Sequence, residues 1–305
     1  MKEPTARSAV VLLNAKSGQG CPPEMVASLQ DKLAQRGLVA QVVLFQDGSE
    51  LLAAAARASS DGVPLVIAAG GDGTVSAVAS QLAGTATVLG VLPMGTLNHF
   101  AKDLGLPMDL DAALDVLAGG RTVAVDVGEV NGRVFINNSS IGIYPDIVLD
   151  RERQRRRLGR GKWPALAVAC LNVLRRHPSM YVELQVEGER LLRRSPFVFI
   201  GNNRYEVEGF AIGSRTALDT GRLSLYMAHH GGRFGLLRLA LLALLQRLRQ
   251  ADDFEMLEAA ELVIRPARRR IRVAADGEVL VMQTPLQYRV RPGALRVRAP
   301  SQAPA

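Results

Sequence analysis

Apolar residues in the first third of the chain come as short runs, separated by stretches with helical spacing. Ala9 to Leu13 is a β-branched and leucine run that stops at Asn14. Pro22 and Pro23 then open a stretch in which Met25, Val26, Leu29 and Leu33 fall on one helical face. Val39 to Phe45 reads as a second strand and Glu50 to Ala58 as an alanine-rich helix. Leu65 to Ala69 predicts a third strand, broken by Gly70-Gly71-Asp72-Gly73-Thr74, with a helix over Val75 to Leu82. Val88 to Leu92 predicts a fourth strand, which Pro93-Met94-Gly95-Thr96 breaks before more helix to Leu104. Alternating strands and helices of these lengths build a mostly parallel sheet covered on both faces.

The rhythm changes near Asp126. Strand-like runs divided by turn residues then dominate: Arg133 to Asn137, Tyr181 to Val186, Phe197 to Ile200 and Arg222 to Met227. Glu261 to Arg265, Arg270 to Ala274 and Leu286 to Val290 follow. Several alternate polar with apolar, the pattern of an antiparallel sheet with one solvated face. Helical patterns at Trp163 to Arg175 and Phe234 to Arg249 are expected to cover or flank it. The expected division is therefore an α/β domain over residues 1–127 and a β-rich domain over 128–292. The tail from Ala299 to Ala305 reads as frayed.

Composition narrows the function classes. A chain of 305 residues can bury two cores. The net charge of +8 is mostly arginine, which suits an anionic partner but also fits a coding bias toward Arg and Ala. Aromatics are 5%, too few for base-stacking platforms, and no recognition module accompanies the charge, so nucleic acid is not expected. Cys21 and Cys170 stand alone, which argues against a disulfide framework or zinc site and fits a reducing cytoplasm. The runs Trp163 to Leu174 and Phe234 to Leu248 are shorter than the roughly 20 residues that span a bilayer. Val10 to Leu13 is too short for the core of a signal peptide. The expectation is a cytoplasmic protein that does not cross the membrane.

Three loops carry candidate chemistry, each at the carboxyl end of an expected strand. In the first, Gly70, Gly71, Gly73 and Thr74 allow a sharp turn and close backbone approach, and the next helix aims its free N–H groups at an anion. Asp72 is out of place in a pure phosphate cradle. It fits if it faces a metal ion or the hydroxyl that attacks a phosphate. Asn14, Lys16, Ser17 and Gly18 make the second loop, and Gly95, Thr96 and Asn98 the third. Ligands bind open parallel sheets at this end of the strands, so the loops together predict a nucleotide cleft. Neither the P-loop pattern nor the dinucleotide glycine fingerprint is present. Farther on, Asp276-Gly277-Glu278 reads either as a hairpin turn or as two carboxylates that an extended segment aims to one side for base and metal work.

The trio of Asn14 to Gly18, Gly70 to Thr74 and Pro93 to Asn98 resembles the diacylglycerol kinase catalytic family, which includes bacterial lipid kinases and sphingosine kinases. The likeness continues through Asp126-Val127-Gly128, Asn137 to Gly142 and Asp276 to Glu278, and so covers nearly the whole chain in order. The first glycine-rich element is shared with NAD kinases and phosphofructokinases; the combination is more specific. The resemblance implies an ATP-binding α/β domain, a C-terminal antiparallel β-sandwich that helps to form a lipid site, and a final strand over 293–299 returning to the first domain. It implies ATP and Mg²⁺ as cofactors and Asp72, Asp276 and Glu278 as catalytic residues, with Glu278 favoured as the base. The implied activity is transfer of the γ-phosphate to a hydroxyl of a membrane lipid such as diacylglycerol.

Some positions depart from the family pattern. Ser76 and Ala77 stand where an Asn and a Glu are common, and His99 where an Asp is. Leu218-Asp219-Thr220-Gly221 resembles a structural Mg²⁺ site with its second aspartate replaced, leaving Asp219 as a candidate ligand. The basic run from Arg151 to Lys162, beside an apolar stretch, is either a dock for anionic lipid headgroups or a solvated helix face. These departures keep two alternatives open: a kinase of a soluble acceptor, or a protein that binds nucleotide or acidic lipid without catalysis.

Overall fold

A computed structural model describes residues 7–14, 23–143, 145, 180–186, 188–208, 211–228 and 254–301. The helices expected at Trp163 to Arg175 and Phe234 to Arg249, and the basic run Arg151 to Lys162, lie outside the described residues. The chain divides into two compact units: residues 1–127 with 292–305, and residues 128–291.

The first unit is the expected α/β domain. Its elements run β1 (Arg7–Asn14), α1 (Pro23–Ala34), β2 (Leu38–Phe45), α2 (Gly48–Ser60), β3 (Leu65–Gly70), α3 (Asp72–Leu82) and β4 (Val88–Pro93). Next come α4 (His99–Asp103), α5 (Leu110–Gly119) and β5 (Arg121–Val130), whose last residues belong to the second unit. The four strands run parallel in the order β2-β1-β3-β4. β3 is buried at every position, which is why Leu65 to Ala69 reads as an unbroken apolar run. One face packs Val11, Leu13 and Ile67 against Leu29 and Leu33 of α1 and Leu114 of α5.

Local chemistry explains several boundaries. Asp47 caps α2 by accepting from the N–H groups of Ser49 and Glu50. Asp109 caps α5 through the Ala112 N–H. On the surface, Lys32 and Arg36 of α1 meet Asp111 and Asp115 of α5, at 2.9 Å for Lys32–Asp111 and 2.6 Å for Arg36–Asp115. The Lys32 ammonium and the Arg36 guanidinium hold the Asp111 carboxyl below its ordinary range. Such exposed pairs contribute little individually.

The second unit is an antiparallel sandwich. Its strands are β6 (Arg133–Phe135), β7 (Asn138–Gly142), β8 (Met180–Val186), β9 (Glu189–Ser195), β10 (Phe197–Asn202), β11 (Tyr205–Glu208) and β12 (Ala211–Arg215). There follow β13 (Leu223–Ala228), β14 (Phe254–Ala259), β15 (Glu261–Pro266), β16 (Arg270–Ala275), β17 (Glu278–Gln283) and β18 (Leu286–Ala299). One layer orders its strands β18-β15-β8-β9, the other β14-β13-β10-β7-β16-β17. Val182, Leu184 and Ile264 of the first layer meet Ile141, Val198 and Leu225 of the second in a shared core. The Phe135 and Tyr288 rings meet edge to face within it, centroids 6.3 Å apart.

The separate closing strand expected over 293–299 is instead the second half of β18, which starts at Leu286. Its Val297 pairs in parallel with Leu89 of β4. At Gly293, where φ is +59°, the N–H donates to the buried carboxylate of Asp126 at 2.9 Å. Gly128 is glycine for a steric reason, because a Cβ there would lie 2.2 Å from the Phe135 ring.

Candidate active site

The strand order 2-1-3-4 reverses between β1 and β3, because β2 lies to one side of β1 while β3 and β4 lie to the other. That reversal opens a crevice at the carboxyl ends of β1 and β3. Asn14 ends β1 and Gly70 ends β3, so both sit at this crevice. Lys16, Ser17 and Gly18 lie outside the described residues.

The loop after β3 is tighter than the sequence suggests. Gly71 is already the N-cap of α3 and Asp72 its first residue, three residues before the helix expected at Val75. A Cβ on Gly70 would meet the Thr74 Oγ1 at 2.5 Å, so the strand can turn into the helix only without a side chain there. Thr74 is buried; its N–H and that of Val75 donate to the Gly71 carbonyl. No side chain caps α3 at its N-cap. Gly73 faces open space: a Cβ there would have no neighbour within 4 Å. An uncapped helix start beside an open glycine leaves N–H groups available to a phosphate.

The loop after β4 abuts this turn. Gly70 pairs with Pro93 in the strand register, and the Met94 N–H donates to the Gly70 carbonyl at 3.0 Å. A Cβ on Gly95 would lie 2.5 Å from the Gly71 Cα and 2.8 Å from the Asn98 Oδ1. Two glycines thus allow two backbones to touch. Asn98 holds the second loop in shape: its Oδ1 accepts from the Gly95 N–H and its Nδ2 donates to the Gly95 carbonyl, each at 3.0 Å. It does so from a left-handed backbone with φ of +50°, which Asn tolerates. The Asn98 amide, expected to contact a cofactor, is engaged in building the loop. Thr96 and His99 are exposed.

In the second unit, Asp276-Gly277-Glu278 is not the extended segment of the second sequence reading. Asp276 (φ +47°) and Gly277 (φ +85°) form the two-residue turn between β16 and β17, closed by the Ala275–Glu278 pair. Positive φ at both central residues is the type I′ pattern that favours Asp-Gly. The two carboxylates have different surroundings. Asp276 accepts three backbone N–H groups, from Ile136 and Asn137 at 2.8 Å and Asn138 at 3.1 Å. Its own N–H donates to the Asn138 carbonyl. Glu278 has a side chain 55% exposed and pairs with Arg133. One carboxylate builds the turn, and the other stands open beside a cation.

Asp219 and Thr220 are both exposed, and the Thr220 hydroxyl accepts from Asn203 Nδ2 at 2.9 Å. Among the described residues no three His, Cys, Asp or Glu side chains gather as a metal site. Sequence reasoning missed Arg133, the partner of Glu278, and Arg215, a 4% exposed arginine whose guanidinium donates into the bend between β6 and β7. No spacing could flag Arg215, since its partners at Ile136 and Asn137 lie 79 and 78 positions away.

Residues 8–130 match the diacylglycerol kinase catalytic domain, and residues 145–299 match the YegS C-terminal NAD kinase beta sandwich-like domain. The chain is 28% identical over 243 residues to a diacylglycerol kinase of Bacillus subtilis, covering 78% of this chain and 79% of that protein. It is 29% identical to the "Probable lipid kinase YegS" of Salmonella gallinarum, over 97% of both chains. The diacylglycerol kinase of Staphylococcus carnosus is 33% identical over 143 residues, and the match spans about half of that relative, 47% of its length. A crystal structure of a diacylglycerol kinase from Bacillus anthracis str. Sterne has the same fold. Its TM-score is 0.70 at 20% identity, over 96% of this chain and 97% of that one. No described helix is long and apolar enough to cross a membrane.

Proposed function

The chain belongs to the diacylglycerol kinase catalytic-domain family, with the YegS-type sandwich domain, and on that premise we propose that it moves the γ-phosphate of ATP to a hydroxyl of a membrane lipid such as diacylglycerol. The observation that carries this reading is the contact of the Gly71 and Gly95 backbones beside an uncapped helix start, at the strand ends where the sheet order reverses. A cradle of this kind offers N–H groups and no side-chain bulk, which suits a polyphosphate.

The residues fit ATP on that ground. Gly73 leaves open the space that any side chain would occupy, and the start of α3 places the positive end of its dipole there. In this reading Asp72, in the first helical turn, would hold a cation that arrives with the nucleotide. Mg²⁺ binds with one or two carboxylates plus substrate phosphates, and supplies charge neutralisation on the transferred group. This chain's contribution is then to fix the phosphates against backbone N–H groups. Phosphoryl transfer depends on such positioning and charge stabilisation more than on covalent chemistry.

The proton of the acceptor hydroxyl needs a base. Glu278 suits that role because its carboxylate is open to a ligand, while Arg133 orients it. Asp276, with three N–H groups on its carboxylate, supports the turn that presents Glu278. In this reading the acceptor oxygen attacks the γ-phosphorus as its proton passes to Glu278, and ADP leaves.

The test is transfer of radiolabelled γ-phosphate into a panel of lipids in mixed micelles, with wild type beside Asp72→Ala and Glu278→Gln. Label in one lipid class, lost in both variants, is the expected result. Absence of label in every lipid, with ATP still bound, overturns the lipid acceptor and turns attention to soluble ones.

A further inference from the structure

Arg215 is an unusual residue to bury. It ends β12 with only 4% of its surface exposed, and its guanidinium lies 5.3 Å from the centre of the Tyr205 ring. A buried cation is costly unless its donors are satisfied. Here Nη1 donates to the carbonyls of Ile136 at 2.7 Å and Asn202 at 3.0 Å, and Nη2 donates to Asn137 Oδ1 at 2.9 Å. Asn202 Nδ2 adds a second bond to the Ile136 carbonyl at 3.0 Å.

The same peptide group meets an anion on its other side. The carbonyl of Ile136 and the N–H of Asn137 belong to one peptide bond. Its oxygen receives the Arg215 guanidinium and its N–H gives to the Asp276 carboxylate. A peptide between a cation and an anion is polarised by both, and each bond strengthens the other. Charge-assisted bonds are also the directional ones. The arginine therefore fixes the segment Ile136–Asn138, that segment fixes Asp276, and Asp276 fixes the turn from which Glu278 starts.

We infer that Arg215 is a positioning residue for the Asp276–Glu278 turn, acting through the peptides of Ile136 to Asn138. Its bonds to Ile136 and Asn137 place its effect one peptide away from the turn, relayed by backbone. The inference rests on the lipid-kinase reading only for its catalytic readout. Its structural half stands on the hydrogen bonds alone.

The experiment compares wild type with Arg215→Met and Arg215→Lys. Backbone amide exchange is followed at Ile136 to Asn138 and at Gly277 and Glu278, beside kcat and KM for lipid phosphorylation. Arg215→Met is expected to speed exchange at both places and to lower kcat by about a hundredfold, the scale of a misplaced catalytic group. KM for ATP should stay within about twofold, because the nucleotide loops lie in the other unit. Arg215→Lys keeps the charge without the planar fork and should recover part of both losses. Circular dichroism separates these effects from a chain that has not folded, and Arg215→Lys keeps the test open if the Met variant fails to fold. Faster exchange at Ile136 to Asn138 with unchanged kcat would reduce Arg215 to a structural residue and overturn the inference. Unchanged exchange at the turn would overturn it too, whether or not the wild type proves to phosphorylate lipid. Loss of the kinase reading alone would appear as an inactive wild type with turn exchange still sensitive to Arg215.

Discussion

Replacing Asp276 with Asn separates the two carboxylates of the turn, because it changes charge and hydrogen bonding while sparing the backbone. Asn tolerates left-handed conformations, so the φ of +47° adds no strain. The side-chain oxygen can still accept from Asn137 and Asn138, now as neutral bonds. The new amide group faces the Ile136 N–H, donor against donor, where the carboxylate now accepts at 2.8 Å. Bonds to a charged group contribute about 1.5–3 kcal/mol and neutral ones about 0.5–1.5 kcal/mol. One bond lost and two weakened therefore come to about 3 kcal/mol for these partly buried groups. For a unit of this size that lowers Tm by about 6–12 °C. Glu278→Gln removes only an exposed ion pair and should move stability by no more than ~0.5 kcal/mol. Thermal and urea unfolding of both variants, beside phosphoryl transfer at a temperature where both are folded, makes the comparison. If Asp276→Asn unfolded with the wild type and yet transferred no phosphate, its carboxylate would be a catalytic group, and its role as the anchor of the turn would be refuted.

Two further outcomes follow from the geometry. Gly95→Ala places a methyl 2.5 Å from the Gly71 Cα, so the two loops must separate. ATP affinity measured by calorimetry should fall about tenfold or more while the sandwich unfolds as before, and unchanged affinity would refute the two-loop cradle. Burial pushes the Tyr288 hydroxyl above its ordinary value of 10.0, with the bond to Ser139 opposing the shift. Because the folded state holds this proton more tightly, its contribution to stability is complete below about pH 10 and is lost as pH rises beyond. Tyr288→Phe should accordingly flatten the alkaline limb of the stability curve, measured by urea unfolding across roughly pH 8 to 11; an identical limb would rule this out.

The parallel unit was readable because its strands are buried on both faces, so Leu65 to Ala69 appears as an unbroken apolar run. The strands of the sandwich that were missed carry mixed patterns. β9 reads Glu-Arg-Leu-Leu-Arg-Arg-Ser and lies at the end of its sheet, where alternation is weakly enforced. At the site, the glycines were legible as glycines, but their reasons were not. Gly95 is needed because Gly71 is in the way, and those residues are distant in sequence. The turn at Asp276 could be read two ways because Asp-Gly satisfies both. The three N–H groups of Ile136 to Asn138, some 140 positions earlier, show its carboxylate holding the turn.

The return of β18 to the first unit gives this protein an order of assembly. Residues 128–291 are an insert within the first unit, whose own chain resumes only at Pro292. Leu295 and Val297 are fully buried, the Ala294 carbonyl accepts from the Gly84 N–H, and Arg298 donates to the Gly120 carbonyl at 2.9 Å. During synthesis the sandwich can therefore be complete in sequence while the earlier-made α/β unit still lacks the strand beside β4. A ribosome that stopped at residue 291 would release a chain whose defect lies in the half it translated first.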